Sequence, residues 1–183
     1  MNKNVIIISF SSRKQGNCEQ IAEFLSIMHD SVKIYRFSEF RLQPCGTCQY
    51  ECFQKDETCP YSADREQDIL DAICSSDVAY FVIPNYQDYP CSNFFIFQER
   101  MQGYFHVHPE HRKAFHRVKK RFLVISNTIT ENFHRIAQQY GAAETDILIL
   151  NSRKFGLSSI KDQIATTREV QLLIHEFVRS NIE

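Results

Sequence analysis

The 183-residue chain carries almost no net charge, since 21 Lys and Arg stand against 22 Asp and Glu to give −1. That balance removes any electrostatic case for a nucleic-acid or membrane-surface partner. No apolar run approaches the length of a membrane span. The N-terminal run is too short for a signal h-region and has no cleavage site. The protein is therefore expected in the cytoplasm. No repeat, low-complexity tract or linker is present. The length suits one full core and hardly two, so a single domain over 1–183 is expected. Tryptophan is absent, and the aromatic content is Phe (15) and Tyr (8). Glycine is scarce. Residues 9–20 hold only Gly16, which excludes the dinucleotide fingerprint G-x-G-x-x-G. No Lys-Ser/Thr follows a second glycine there, which excludes a Walker P-loop.

What is present is an alternation of strand and helix patterns. Val5–Phe10 and Val32–Phe37 read as strands, with a helix over Asn17–His29 between them. A cysteine-rich connection over 41–62 follows. Asp64 then opens a helix, with Gln67 as a capping-box partner. Val78–Ile83 is continuously apolar, as in a parallel strand buried on both faces, and is expected to stop at Pro84. Ser92–Met101 reads as a helix. Phe122–Ser126 and Ile147–Leu150 are further buried strands, followed by helices near Glu131–Tyr140 and Ile160–Asn181. Five strands alternating with five helices predict an α/β fold, a three-layer doubly wound parallel sheet of order 2-1-3-4-5.

The loop after the first strand reads Ser9-Phe10-Ser11-Ser12-Arg13-Lys14-Gln15-Gly16-Asn17-Cys18. A strand end, a polar loop and a helix start present backbone N–H groups to an anion. Ser11 and Ser12 add hydroxyls, Arg13 a cation, Gly16 freedom, and Asn17 an N-cap. All suit a phosphate. The segment resembles the phosphate loop of NAD(P)H-dependent FMN reductases and iron-sulfur flavoproteins, roughly G-S-P-R-x-x-G-N-S/T. Ser11, Arg13, Gly16 and Asn17 match it. Phe10 stands at the leading Gly, Ser12 at the Pro, and Cys18 at the closing Ser/Thr.

The resemblance implies a flavodoxin-like fold, FMN as cofactor, NAD(P)H as electron donor, and a homo-oligomer. It extends to the loop after the third strand. There Pro84-Asn85-Tyr86 fits the family's P-x-Y, and Glu99-Arg100 approximates an Asp-Arg that ends the next helix. Phe95 stands where that helix commonly has Lys. Pro84, Asn85, Tyr86 and Gln87 are thus expected to line the isoalloxazine and ribityl chain. A third loop, Ser126-Asn127-Thr128, offers Asn127, with helix capping by Thr130 as the alternative use. No glycine lies between Gly103 and Gly141 to let the backbone approach.

Cys45, Cys48, Cys52 and Cys59 lie within fifteen residues. Such thiolates suit a [4Fe–4S] cluster, a Zn ion, or no metal at all, as free thiols or a disulfide. The resemblance favours the cluster, although its usual gap between the second and third cysteine is two residues and here it is three. Cys45-Gly46-Thr47-Cys48 is similar to a dithiol redox motif, but sits in a loop, not at a helix start that would acidify the thiol. Cys74 is expected in the core and Cys91 at the mouth of the site. Over 103–121, His106, His108, His111 and His116 suit neither a helical ligand pair nor a zinc-finger arm, and Pro109 interrupts them, so a solvated basic loop is expected.

The function expected is that of an FMN oxidoreductase passing electrons from NAD(P)H to an acceptor the sequence does not identify. No residue is expected as catalytic acid, base or nucleophile, because the flavin carries the chemistry. The alternative is a non-enzymatic electron carrier of the same fold. A receiver-type signalling domain is excluded, because it needs acidic residues after the first strand and an Asp after the third.

Overall fold

The computed structural model describes residues 3–46, 48–54 and 59–180. Thr47, within the dithiol-like segment, and Asn181, the expected end of the last helix, lie outside them. The chain runs β1 (Asn4–Ser9), α1 (Asn17–Ser26), β2 (Ser31–Arg36), α2 (Glu66–Cys74), β3 (Val78–Tyr86), β4 (Tyr89–Pro90), α3 (Ser92–Val107), α4 (Pro109–Arg117), β5 (Lys119–Ser126), α5 (Glu131–Gln139), β6 (Ile147–Asn151) and α6 (Arg168–Arg179). The parallel strands order β2-β1-β3-β5-β6. Without the two-residue β4, which pairs antiparallel with β3, this is the expected 2-1-3-4-5 sheet.

Alternation along each strand sorts the core onto two faces. Ile6, Ile8, Phe81, Ile83, Phe122 and Val124 point to the layer of α2, α3, α4 and α5. Val5, Ile7, Tyr80, Val82, Leu123 and Ile125 point to α1 and α6. The first face is built from phenylalanine. Phe10 stacks on Phe37 at 4.9 Å and meets Phe94 and Phe97 edge-on at 5.3 and 5.7 Å. Phe10 is fully buried, so the residue at the family's glycine position pins the first loop into the core.

Several boundaries differ from expectation. β3 continues through Pro84 to Tyr86. Its pairing with β1 ends at Val82, opposite Ser9, so the N–H that proline lacks is not needed by the ladder. The strand then turns through Gln87 and Asp88, both at positive φ (49° and 73°), into β4. Asp64 does not open a capping box with Gln67. Its Oδ1 accepts from the Glu66 N–H and its Oδ2 pairs with Arg100, so the carboxylate is already committed. The basic stretch is not a loop either. α3 runs on to Val107 and α4 occupies 109–117, because Pro109 at its first position opens a helix rather than breaking one. The last helix begins at Arg168, not Ile160. No helix among the described residues is long and apolar enough to cross a membrane.

Candidate functional site

The strand order reverses between β1 and β3, and a cavity of about 410 Å³ opens there at the carboxyl edge. The first loop contributes Ser11, Arg13, Gly16, Asn17 and Cys18, the β3–β4 turn Pro84, Asn85, Tyr86 and Gln87, and the loop after β5 Asn127 and Thr128. Of the residues the first, third and fourth strand loops were expected to bring to a cofactor, all but Ser12 line this one cavity. Ser12 Oγ accepts from Asn93 at the start of α3, which also donates to the Phe10 carbonyl at 2.8 Å.

The first loop is held from below. Ser11 Oγ accepts from the Arg13 N–H at 3.1 Å. Glu19, buried in the first turn of α1, accepts from the Gln15 N–H and from Ser38 Oγ. Gly16, not Asn17, is the N-cap of α1, and no side chain caps that end. The first-turn N–H groups therefore keep the unsatisfied donors that a helix start offers an anion. A Cβ on Gly16 would sit 3.2 Å from the Arg13 carbonyl oxygen, so any side chain there needs the loop to give by a few tenths of an ångström. Cys18 is buried. Burial, and then the nearness of Cys91 and Glu19, pushes its thiol far above the usual range. Only its backbone N–H suits a ligand.

Asn17 does not cap α1, and its amide bonds the segment after β6. Nδ2 donates to the Ser159 and Asp162 carbonyls at 2.9 Å, and Oδ1 accepts from the Ile164 N–H at 2.9 Å. Arg13 Nη1 likewise donates to the Ile160 carbonyl at 3.0 Å. Residues 159–164 thus strap the first loop, and Ser159 and Ile160 line the cavity. Sequence reasoning missed both, having placed a helix start at Ile160. The signal available was the Ser158-Ser159 hydroxyl pair after a buried strand.

Asn127 joins the same network. Its Nδ2 donates to Ser159 Oγ at 2.6 Å, and its Oδ1 accepts from Ser152 Oγ. Side-chain bonds stand here in place of the glycine. Thr130 makes no side-chain cap to α5. The buried Asp88 carboxylate accepts from the Asn132 N–H instead, at 3.0 and 3.1 Å. Asn85 donates to Ser126 Oγ at 3.0 Å and to the Ile129 carbonyl at 3.2 Å. Its Oδ1 is buried without a hydrogen-bond partner. Tyr86 is exposed at the rim, while Tyr89 does not reach the cavity. Cys91 is not at the mouth. It is buried under the first loop, Sγ donates to the Phe10 carbonyl at 3.3 Å, and burial pushes its thiol up to about 11.

Cys45, Cys48, Cys52 and Cys59 all line a second cavity of about 490 Å³, and all are free. Among the described residues, these thiols are not gathered around an ion. No three Cys, His, Asp or Glu ligand atoms there lie within 4.8 Å of one another. A tetrahedral Zn–S site, at about 2.3 Å per bond, needs sulfurs about 3.8 Å apart. Packing explains the spread. Cys52 Sγ sits where a Gly103 Cβ would lie only 2.7 Å away, and Cys59 Sγ accepts from Arg100 Nη2 at 3.6 Å. Burial, with Glu99 and the neighbouring thiols adding to it, pushes Cys45 up to about 11, so it is no thiolate nucleophile.

Arg100 does not serve the first cavity. It lies within α3, buried, pairing with Asp64 and with Glu66 at 3.1 Å beneath the cysteines. Burial, with the Asp64 carboxylate adding to it, outweighs Arg100 and pushes Glu66 up to about 8. Cys74 is half-buried rather than core, with its Sγ donating to the His111 carbonyl at 3.4 Å.

No family model matches the chain, and no curated protein does. Solved structures do. The Trp repressor binding protein from Bacillus subtilis aligns with a TM-score of 0.55 at 14% identity, over 80% of this chain and 83% of its own. FerB from Paracoccus denitrificans, a flavoenzyme NAD(P)H:(acceptor) oxidoreductase, aligns with a TM-score of 0.53 at 12% identity, over 96% and 95%. An FMN-dependent NADH-azoreductase from Bacillus anthracis str. Ames Ancestor, in complex with FMN, aligns with a TM-score of 0.53 at 10% identity, over 97% and 95%. At such identities the likeness is one of architecture, and the chain has the flavodoxin-like fold.

Proposed function

We propose that the protein binds FMN in the switch-point cavity and acts as an NAD(P)H-dependent oxidoreductase. The observation that carries this is the convergence of three loops on one cavity at the strand-order reversal. FerB and the azoreductase, which share the fold, are described as NAD(P)H- or NADH-dependent flavoenzymes.

FMN, when bound, supplies hydride acceptance and onward electron transfer. The protein's part is to bind and orient. Ser11, Arg13, Gly16, Asn17 and the Cys18 N–H hold the phosphate. Pro84, Asn85, Tyr86 and Gln87 line the ring and ribityl chain, with Asn127 closing the far wall. Arg13 and Asn17 would exchange carbonyl partners on 159–162 for phosphate oxygens, which would give Arg13 an ion pair and Asn17 a charge-assisted hydrogen bond. No side chain in the cavity is assigned a proton-transfer role, and the electron acceptor is left unassigned.

A [4Fe–4S] cluster is a separate part of the reading. One observation favours it, the opening of all four free thiols onto one cavity. The thiols as placed are not a ligand set, so no electron step is assigned to a cluster.

Fluorescence titration with FMN, riboflavin and FAD tests the site. FMN is expected to bind far more tightly than riboflavin, and FAD poorly. Equal affinity for FMN and riboflavin overturns the phosphate-loop assignment. Anaerobic addition of NADH and of NADPH to the FMN-loaded protein then separates enzyme from carrier. Bleaching and turnover with an added acceptor are expected, and slow or absent reduction leaves the electron-carrier reading.

A further inference from the structure

Where α3 meets α4, side chains converge that the switch-point cavity does not use. His108 is the junction residue, and Glu110 and His111 stand in the first turn of α4. Glu110 Oε1 lies 3.8 Å from His108 Nδ1 and 3.7 Å from His111 Nε2. One ligand atom from each residue lies within 4.8 Å of the other two. The two imidazoles stack with centroids 5.3 Å apart. The linear spacing suits no helical ligand pair, but the corner between the helices does what spacing cannot.

The far nitrogen of His111 is already committed. Nδ1 is hydrogen-bonded to the Tyr104 hydroxyl and lies 3.4 Å from Asp71 Oδ1, and the same hydroxyl bonds Asp71. A carboxylate only accepts, so Tyr104 donates to Asp71 and accepts from His111 Nδ1–H. This assigns the proton to Nδ1 and leaves a lone pair on Nε2, the atom nearest Glu110. A lone pair and a carboxylate oxygen at that separation repel unless a cation lies between them. An imidazole backed by a carboxylate through its other nitrogen is the arrangement that orients metal ligands.

We infer that His108, Glu110 and His111 form a three-ligand site for a divalent transition-metal ion of the zinc type, with water completing the shell. Bonds of about 2.0–2.2 Å at tetrahedral angles place donor atoms about 3.3–3.5 Å apart. The nitrogen–oxygen separations need close by only a few tenths of an ångström. Two imidazoles and one carboxylate suit such an ion better than Ca²⁺ or Mg²⁺, which prefer oxygen throughout. Asp71 and Tyr104 are positioning residues. The rival occupant is a proton, which makes the cluster an ordinary His–Glu ion pair.

The test uses the full chain with Cys45, Cys48, Cys52 and Cys59 changed to Ser, because thiols also take up zinc. Equilibrium dialysis with Zn²⁺ is expected to show one ion per chain. Co²⁺ is expected to give visible d–d bands without sulfur charge transfer. Glu110→Gln and His108→Gln are each expected to weaken binding about tenfold or more, and Asp71→Asn by about 10- to 100-fold with partial rescue by Asp71→Glu. No uptake of either ion, or uptake indifferent to Glu110→Gln, overturns the site and leaves the ion pair. If the four-serine chain does not fold, Co²⁺ is titrated into the unsubstituted protein. A cobalt spectrum made only of thiolate bands and unmoved by Glu110→Gln overturns it there.

Discussion

On the proposed reading, Arg13 chooses between the Ile160 carbonyl and a phosphate. In the structure its guanidinium donates to the neutral Ile160 carbonyl. A phosphate monoester carries about −1.5 to −2 charge near neutral pH. Arg13→Ala is expected to weaken FMN binding by about 1.5–3 kcal/mol while the thermal melt of the free protein stays in place. Unchanged affinity in a fluorescence titration would show that the guanidinium remains on the strap. Glu66 offers a test of a different kind. Its carboxyl is pushed by burial from the ordinary 4.5 up to about 8. The folded protein therefore holds a proton that the unfolded chain releases near pH 4.5. Stability contributed by this group is present below about pH 4.5 and is lost as pH rises through about 8. Urea midpoints across that window are expected to fall with pH, and Glu66→Gln to flatten the slope. An identical slope in the variant would mean that Glu66 is ionised beside Arg100.

At the scale of elements, what was legible depended on burial. β3 and β5 are covered on both faces, so they read as unbroken apolar runs; alternation with helices gave the doubly wound parallel sheet, and the flavodoxin-like pattern its order. The loops that line the switch-point cavity were legible because strand ends and helix starts carry their own punctuation. What was not legible depended on partners distant in sequence. Asn17 reads as a cap, yet its amide bonds are to residues 159, 162 and 164. Arg100 reads as a residue at a helix end, yet it is buried between Asp64 and Glu66. The histidines read as a solvated loop because only the α3–α4 corner brings them together. Phe10 shows the same limit, since a glycine position in the resembled family gives no hint of a ring packed among Phe37, Phe94 and Phe97. Phe10→Ala is expected to cost about 3–5 kcal/mol of stability by urea unfolding. A cost below about 1 kcal/mol would place the ring outside the core.

For the whole molecule, the decisive relation is between the two cavities. They share no lining residue. α3 nevertheless touches both regions, with Asn93 holding the first loop and Arg100 and Gly103 lying beneath the cysteines. A ligand that binds only the folded state at about 100 times its Kd adds about 2.7 kcal/mol. In a chain of this length that raises Tm by about 5–10 °C. FMN is expected to give such a shift in the unsubstituted protein and an equal one in Cys48→Ser, because Cys48 lines only the second cavity. Loss of the FMN shift in that variant would mean that α3 couples the cavities. The same pair of proteins tests the cluster. If the four thiols hold a cluster, anaerobic incubation with iron and sulfide gives the unsubstituted protein a broad visible absorption that Cys48→Ser lacks. If it takes up no iron, the thiols are not cluster ligands. The second cavity then belongs to the packing of Cys45, Cys48, Cys52 and Cys59 beside α3, and the proposed electron flow is confined to the flavin.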